Sequence, residues 1–548
     1  MGVSPLRFRD KLSKMEPEEI WKQYCSFLDL SMEQYMGIQF RLLEEQIQLF
    51  GRSGLGQRIF RGKIPASVDE FRQTVPLTTY DDYADVLLQK RVEMLPSEPM
   101  VWLETTWESG SRPVKVAPYC KEMLGVYQNN ILAAMLLAAS RQRGKFTLKP
   151  SARTLYCLAP LPYATGLFPL LIEPEYDMQF FPPLNDVARM SFSEQNKVGF
   201  KLAAQRGIDM FFGMSSIIYT ITKNFNDFIS GGGKFKLRNL IHFTPTMLYR
   251  LAMAKYRSAR DGTPIRPADL FDLQALVCVG TDTELFKDEL EKAWGCRPLE
   301  IHGGTEPTCI GTETWSRNGL VFFPDACFYE FIPEQEMLRG MDDSTYVPKT
   351  YLMNELTAGQ NYELVITVFK GGAFVRYRVG DMYRCLRLRN ERDGLDMPQF
   401  EYIDRIPSVI DIAGFTRITE NAVRRVIEMS RLEVHDWFAF KEYDGENRSF
   451  MHLYVEMDEH AAATYPVTER ILREHMGIYF RHYDHDYEDL KRLLGVDPMQ
   501  ITLLTTGTMA RYADKYGRPI RKINPSTQDV VDLLYLQRAG DAGGGERK

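Results

Sequence analysis

Hydrophobic and polar positions are patterned most sharply between residues 359 and 381. Leu364, Ile366 and Val368 interleave with Val365 and Thr367 in a β-branched run, which predicts a strand. Lys370-Gly371-Gly372 supplies turn chemistry, since glycine takes positive φ without steric cost. Residues 374–381 then return as a second strand, expected to end on Gly380-Asp381. That would put one carboxylate at the mouth of a hairpin, beside a glycine that lets a ligand approach. A short carboxylate there suits vicinal hydroxyls such as those of a ribose. Alone, the same stretch reads better as a hairpin ending in a solvated Asp.

Upstream of residue 100 the period is helical. Ser31-Met32-Glu33-Gln34 is a capping box, with Tyr35, Ile38, Leu42 and Leu49 marking one face and Gly51 able to stop the helix. A second box is Ser67-Val68-Asp69-Glu70, and a third helix start follows in residues 75–83, VPLTTYDDY. These helices, over about 15–95, predict a cover for a larger body. From Val101 onward, buried strands predicted at 154–161, 208–212, 273–279 and 300–302 alternate with helices at 119–140 and 193–206, the latter ended by Gly207. Strand, small-residue loop and helix in repetition predict a mainly parallel sheet with helices on its faces and ligands at the carboxyl ends of its strands. The turns Gly280-Thr281-Asp282 and Gly303-Gly304-Thr305-Glu306 fall there. Beyond 404–408 a separate α+β unit is expected: a helix at 421–428, strands at 437–441 and 450–456, a helix at 469–479, and a disordered tail from Arg538.

Composition narrows the class. The chain has 548 residues, too many for one core. Lys plus Arg number 67 and Asp plus Glu 73, a net charge of −6, so no global basic surplus exists to hold a nucleic-acid backbone. Eight scattered cysteines form no C-x-x-C pair, and no apolar run approaches the roughly 20 residues needed to cross a bilayer. With no apolar leader in the first ten residues, a cytoplasmic protein without membrane contact is expected.

Residues 105–115, TTWESGSRPVK, offer small hydroxyls, a glycine and a trailing lysine, all able to wrap phosphate oxygens. They are not a Walker loop, and alone they read as an exposed polar turn. His482-Tyr483-Asp484-His485-Asp486 reads as solvated surface and His452 as a histidine on a strand face. No G-x-S-x-G elbow supports hydrolase chemistry.

Taken together, the 105–115 loop, His302-Gly303-Gly304-Thr305-Glu306 and the Tyr377-Arg378-Val379-Gly380-Asp381 hairpin resemble the adenylate-forming enzymes, and within them the auxin-responsive Gretchen Hagen acyl-acid amido synthetases. Residues 75–83 resemble that family's N-terminal signature, and the resemblance spans roughly 15 to 535. It implies a large N-terminal α/β domain, 1–405, a smaller α+β lid domain, 406–537, and a tail, 538–548. It implies ATP and Mg²⁺, with a small carboxylic acid and an amine acceptor, an amino acid, as the other reactants. Thr305 would touch the α-phosphate and Glu306 hold Mg²⁺; Ser109, Gly110, Ser111 and Lys115 would wrap phosphate. Gly280, Thr281, Gly303 and Gly304 would line the adenine, with His302 in the stacking position. Asp381 would bind the ribose, Arg405 nearby. Lys522 is the preferred catalytic lysine, Lys515 the other candidate. The lid is expected to rotate about 404–408 so that Lys522 reaches the phosphoryl site.

This sequence also departs from the pattern. A register starting at Thr105 puts Trp107 and Glu108 where the phosphate loop has Gly and Thr, while another, on Ser109-Gly110-Ser111, is shorter than the pattern; Glu108 would repel triphosphate unless Mg²⁺ or Arg112 intervenes. His302 replaces a Tyr. A thiol acceptor such as coenzyme A, or a nucleotide- or acid-binding protein without catalysis, are therefore the alternatives. The acid's pocket is expected to draw on 119–140 and 210–219.

Overall fold

The computed structural model describes residues 6–105, 114–187, 189–226, 242–414, 416–457, 465–483 and 498–544. Two compact units divide them: residues up to Thr105 with Lys115–Ile403, and Val114 with the residues from Asp404 on.

The first unit is built on an 11-stranded sheet. A hairpin of β1 (Val101–Glu104) and β2 (Val116–Tyr119) stands outside it. The sheet's strands in chain order are β3 (Ser151–Cys157), β4 (Asp177–Phe181), β5 (Met210–Met214), β6 (Ala275–Val279), β7 (Leu299–Gly304), β8 (Thr308–Glu313), β9 (Leu320–Phe322), β10 (Cys327–Pro333), β11 (Asn361–Val368), β12 (Tyr377–Arg387) and β13 (Gln399–Arg405). Their order across the sheet is β10-β11-β12-β13-β9-β8-β7-β6-β5-β3-β4. The five strands from β7 to β4 pair in parallel. The pairs β7/β8, β8/β9, β9/β13, β10/β11 and β11/β12 are antiparallel, so the expectation of a mainly parallel sheet holds for one half alone. The reason is the length of the connections: tight turns such as Thr305-Glu306-Pro307 can join only antiparallel neighbours.

Helices α1 (Met32–Gly51), α2 (Lys121–Ala138), α3 (Phe192–Arg206), α4 (Ser215–Lys223) and α5 (Thr283–Trp294) belong to this unit. The Ser31/Gln34 capping box forms and starts α1 where expected. Its buried face differs from the apolar pattern: Leu49 is exposed, while Gln39 and Gln46 are buried. Gln39 Nε2 donates to the carbonyls of Pro324 and Cys327 at 2.6 and 2.8 Å, so a polar residue ties the helical cover to β10. Residues 75–83 give no long helix, only a 3-10 turn at Tyr80–Asp82. Thr78 instead bridges to Tyr377, exchanging backbone hydrogen bonds of 2.9 Å with Arg376 and Arg378.

The second unit contains a small hairpin, β14 (Val409–Ile412) with β15 (Thr416–Thr419), and a three-stranded sheet of β16 (Val434–Tyr443), β17 (Ser449–Met457) and β18 (Met499–Leu504). Helices α6 (Glu420–Ser430), α7 (Tyr465–Tyr483), α8 (Thr508–Tyr516) and α9 (Thr527–Gly544) complete it. The tail expected to be disordered from Arg538 continues as helix to Gly544, because α9 carries its apolar positions Val530 and Leu533 into a buried cluster and propagates from there. His452 lies on the β17 face between Glu442 and Thr502, 2.7 Å from each. The 482–486 cluster lies partly outside the described residues. All eight cysteines are free thiols. Among the described residues no helix is long and apolar enough to cross a membrane.

Candidate active site

Asp381 does not end a hairpin. It lies inside β12, which continues to Arg387. The register with β11 steps from Glu363↔Met382 to Val365↔Arg378, so two steps on β11 face four on β12. Gly380, at φ +82°, makes this bulge possible, since a side chain there would strain the left-handed backbone. The bulge re-aims Asp381, which is 6% exposed and has its Oδ2 3.9 Å from His302 Nε2 on β7. β7 and β12 are not neighbours in the sheet, so side chains alone bring the two motifs together.

His302 is stacked on Tyr402 (centroids 4.7 Å, interplanar 26°) and meets Tyr383 edge-on at 5.2 Å. Gly303 and Gly304 end β7 and pair with Cys309 and Thr308, so the expected loop is a hairpin turn that projects Thr305 and Glu306. Two tyrosine hydroxyls hold that turn. Tyr119 donates to the Thr305 carbonyl at 2.8 Å, and Tyr377 donates to Glu306 Oε1 at 2.7 Å. Thr305 Oγ1 reaches the Glu104 carbonyl at 3.5 Å. The sequence singled out Glu306 but none of these partners; Tyr377 lay inside the quoted motif, yet nothing in its spacing reports a contact between non-adjacent strands.

Gly280 follows β6 at φ +134°, and a Cβ there would stand 3.1 Å from Ser215 Oγ on α4. Thr281 opens a cavity of about 430 Å³ shared with Tyr402, Glu284, Lys287, Glu300 and Glu313. The Lys287 ammonium, 2% exposed, sits 2.6, 3.4 and 2.9 Å from Glu284, Glu300 and Glu313. That ammonium already fills the centre of the three carboxylates, so the cluster is no cation site. Burial pushes the Glu300 carboxyl up to about 8, against the pull of Lys287 and helped by the nearby Glu313 charge.

The remaining expected residues are dispersed. Ser109, Gly110 and Ser111, with Trp107, Glu108 and Arg112, lie outside the described residues. At the ends of that loop, Thr105 N donates to the Lys115 carbonyl at 2.9 Å and Lys115 N to Thr105 Oγ1 at 3.0 Å. The Lys115 ammonium lies over the Tyr80 ring, 5.9 Å from its centroid. In the second unit, Arg405 N donates to Asp404 Oδ1 at 2.7 Å. There too Lys522 pairs with Asp436 and lies 5.7 Å over the Trp437 ring, while Lys515 lies over Tyr516.

The two arginines of the hairpin motif are structural. Arg376 forks onto Glu330 with two bonds of 2.9 Å and donates to the carbonyls of Arg72 and Val75. Arg378 forks onto Glu363 at 2.8 and 2.6 Å, and Glu363 is fully buried.

Residues 320–405 match the GH3 family central domain. The indole-3-acetic acid-amido synthetase GH3.10 of Arabidopsis thaliana is 25% identical over 207 residues, 35% of this chain and 32% of that protein. The AtGH3.15 acyl acid amido synthetase, solved with 2,4-DB, superposes with a TM-score of 0.54 at 14% identity, over 96% of this chain and 97% of that one. A 2-hydroxyisobutyryl-CoA ligase, solved with 2-HIB-AMP and CoA, superposes with a TM-score of 0.56 at 14% identity, over 92% and 91%. The fold is that of adenylate-forming enzymes, a large α/β unit followed by a smaller α+β unit, as the sequence resemblance implied.

Proposed function

We propose that this chain, which carries the GH3 central domain in an adenylate-forming fold, is an ATP-dependent acyl-acid amido synthetase. A carboxylate oxygen attacks the α-phosphorus of ATP and pyrophosphate leaves. The amine nitrogen of an amino acid then attacks the acyl carbon, AMP leaves, and the nitrogen gives its proton to solvent. The observation that carries this reading is the Asp381 carboxylate 3.9 Å from His302, on the strand that leads into the Thr305-Glu306 turn, which supports assigning these residues as ribose acceptor, aromatic wall and phosphate donor.

In this reading Asp381 accepts from the ribose hydroxyls. His302, Gly280, Thr281, Gly303 and Gly304 enclose the base. Thr305 donates its hydroxyl to an α-phosphate oxygen, where charge grows as the acid attacks. Ser109, Gly110, Ser111 and Lys115 are assigned to the departing phosphates, Arg405 to the ribose and Lys522 to the phosphoryl step. Domain 406–537 supplies Lys522, whose release from Asp436 belongs to the cycle. Glu306 fits a hard dication: its carboxylate is buried, Oε1 is held by Tyr377, and no described residue donates to Oε2. Bound there, Mg²⁺ would neutralise phosphate charge.

The test is ATP-dependent pyrophosphate release across a panel of carboxylic acids, followed by conjugate formation with amino acids or with coenzyme A. Release with a working acid, and conjugation to an amine, are expected. ATP binding without release for any acid would mark a non-catalytic nucleotide-binding protein, and thioester formation alone would replace the amine acceptor with a thiol.

A further inference from the structure

Glu306 stands in a turn, and a glutamate there has three rotatable bonds with which to leave any one position. The structure removes that freedom through Tyr377. The phenol O–H donates to Oε1 at 2.7 Å, and Tyr377 is itself 1% exposed. Its ring packs against Phe374 at 4.8 Å and Tyr83 at 6.1 Å. Its backbone is bracketed by Thr78, which accepts from Arg378 N and donates to the Arg376 carbonyl. Thr78 Oγ1 and Tyr83 Oη both bind the Val375 carbonyl, at 2.7 and 3.0 Å, and lie 2.9 Å from each other. Residues 75–83 therefore hold the strand start that holds Tyr377, which in turn holds Glu306.

We propose that Tyr377 is a positioning residue that locks the Glu306 carboxylate by one oxygen and leaves the other for the nucleotide-bound cation, with Thr78 and Tyr83 fixing Tyr377. This rests on the assignment of Glu306 to the metal. The lock has a chemical consequence beyond rigidity. With Oε1 engaged by a hydroxyl, Glu306 offers a single oxygen, which suits a small octahedral ion; Ca²⁺ also accepts bidentate carboxylates. Outer partners of this kind are worth about 10- to 100-fold in metal affinity.

The experiment titrates Mn²⁺ by electron paramagnetic resonance into the full chain saturated with a non-hydrolysable ATP analogue. It compares wild type, Tyr377→Phe, Glu306→Gln and the double variant, with calorimetric binding of the metal-free nucleotide as the control for an intact site. Tyr377→Phe is expected to weaken Mn²⁺ at least about tenfold, to narrow the preference for Mn²⁺ over Ca²⁺, to leave metal-free nucleotide binding unchanged, and to cost nothing further in the Glu306→Gln background. Wild-type Mn²⁺ affinity in Tyr377→Phe alongside its loss in Glu306→Gln overturns the positioning role and leaves the metal assignment standing. Unchanged Mn²⁺ affinity in Glu306→Gln overturns both. Parallel loss of metal-free nucleotide binding in Tyr377→Phe reduces Tyr377 to a general support and overturns the proposal as well.

Discussion

Replacing Glu300 by Gln should leave the protein nearly unchanged at pH 4 and make it progressively more stable than wild type as the pH rises to about 8. One ammonium, Lys287, faces two almost fully buried carboxylates, Glu300 and Glu313. Glu313 has the closer ion pair, 2.9 against 3.4 Å, and also accepts the Glu300 backbone N–H at 2.9 Å. Glu300 is left to keep its proton, with its carboxyl pushed up to about 8 by burial. The sign follows by linkage. Below the usual carboxylate range both folded and unfolded chains hold the proton. As pH rises, the unfolded chain releases it while the folded one does not, so stability falls until the folded group ionises near pH 8. At ~1.4 kcal/mol per unit, that window amounts to on the order of 4 kcal/mol lost by pH 9. A glutamine has no proton to lose and keeps a donor in the same place. The assay is urea unfolding at pH 4, 5, 6, 7, 8 and 9, with hydrogen exchange of α5 as the local readout, since α5 carries Lys287. The difference between variant and wild type cancels the titration of every other group. A difference that does not change with pH would refute the reasoning. A variant weaker by about 3–5 kcal/mol at every pH would show instead that Glu300 is ionised and paired with Lys287.

Asp381→Ala should raise the KM for ATP by more than tenfold with the fold intact, because two hydrogen bonds to a charged acceptor are lost at about 1.5–3 kcal/mol each; unchanged ATP affinity in calorimetry would remove Asp381 from the ribose site. Lys522→Ala should depress pyrophosphate release while leaving ATP binding alone, and full adenylation would exclude that lysine. Arg376→Met should cost ~3 kcal/mol in urea unfolding with little effect on the KM for ATP, since it leaves the buried Glu330 with Arg72 at 3.5 Å as its remaining cation, beside the Thr350 hydroxyl; a variant stable but unable to bind ATP would reverse that reading.

Features written in short windows were legible from sequence. The Ser31/Gln34 cap depends on four consecutive residues, and α3 stops at Gly207 as expected, although its cap is Ser191 and not a residue near 193. The parallel half of the sheet followed from strand and helix alternation for the same local reason. What failed was long-range. The buried glutamines of α1 are visible only once the carbonyls of Pro324 and Cys327 are known to lie beneath them. The Glu284/Lys287/Glu300/Glu313 cluster draws on two strands and a helix, so no window contains it. The clamp on Glu306 crosses from β12 to the β7 turn, past three intervening strands of the sheet.

Asp381 is more instructive, because the structure keeps it at a glycine-directed turn of the backbone but inside a strand and not at its end. The expectation placed it at a strand end because Gly380 looked like a terminator. A terminal aspartate, though, has one flanking strand residue to restrain it and solvent on the other side. A bulged aspartate inside β12 is restrained from both sides, by the Val365↔Arg378 pair before it and the Glu363↔Met382 pair after it. The same glycine that breaks the register thus converts a mobile carboxylate into a fixed one without ending the strand. Gripping two hydroxyls at a set spacing requires that fixity, since a carboxylate already in place loses little freedom when the ligand binds. On this argument Gly380 is as much a part of the proposed nucleotide site as Asp381. Gly380→Ala, straining the left-handed backbone by roughly 1–2 kcal/mol, should either flatten the bulge and weaken ATP binding or hold the bulge and lower stability by that amount. A variant with wild-type stability and wild-type ATP affinity would show that the bulge positions nothing.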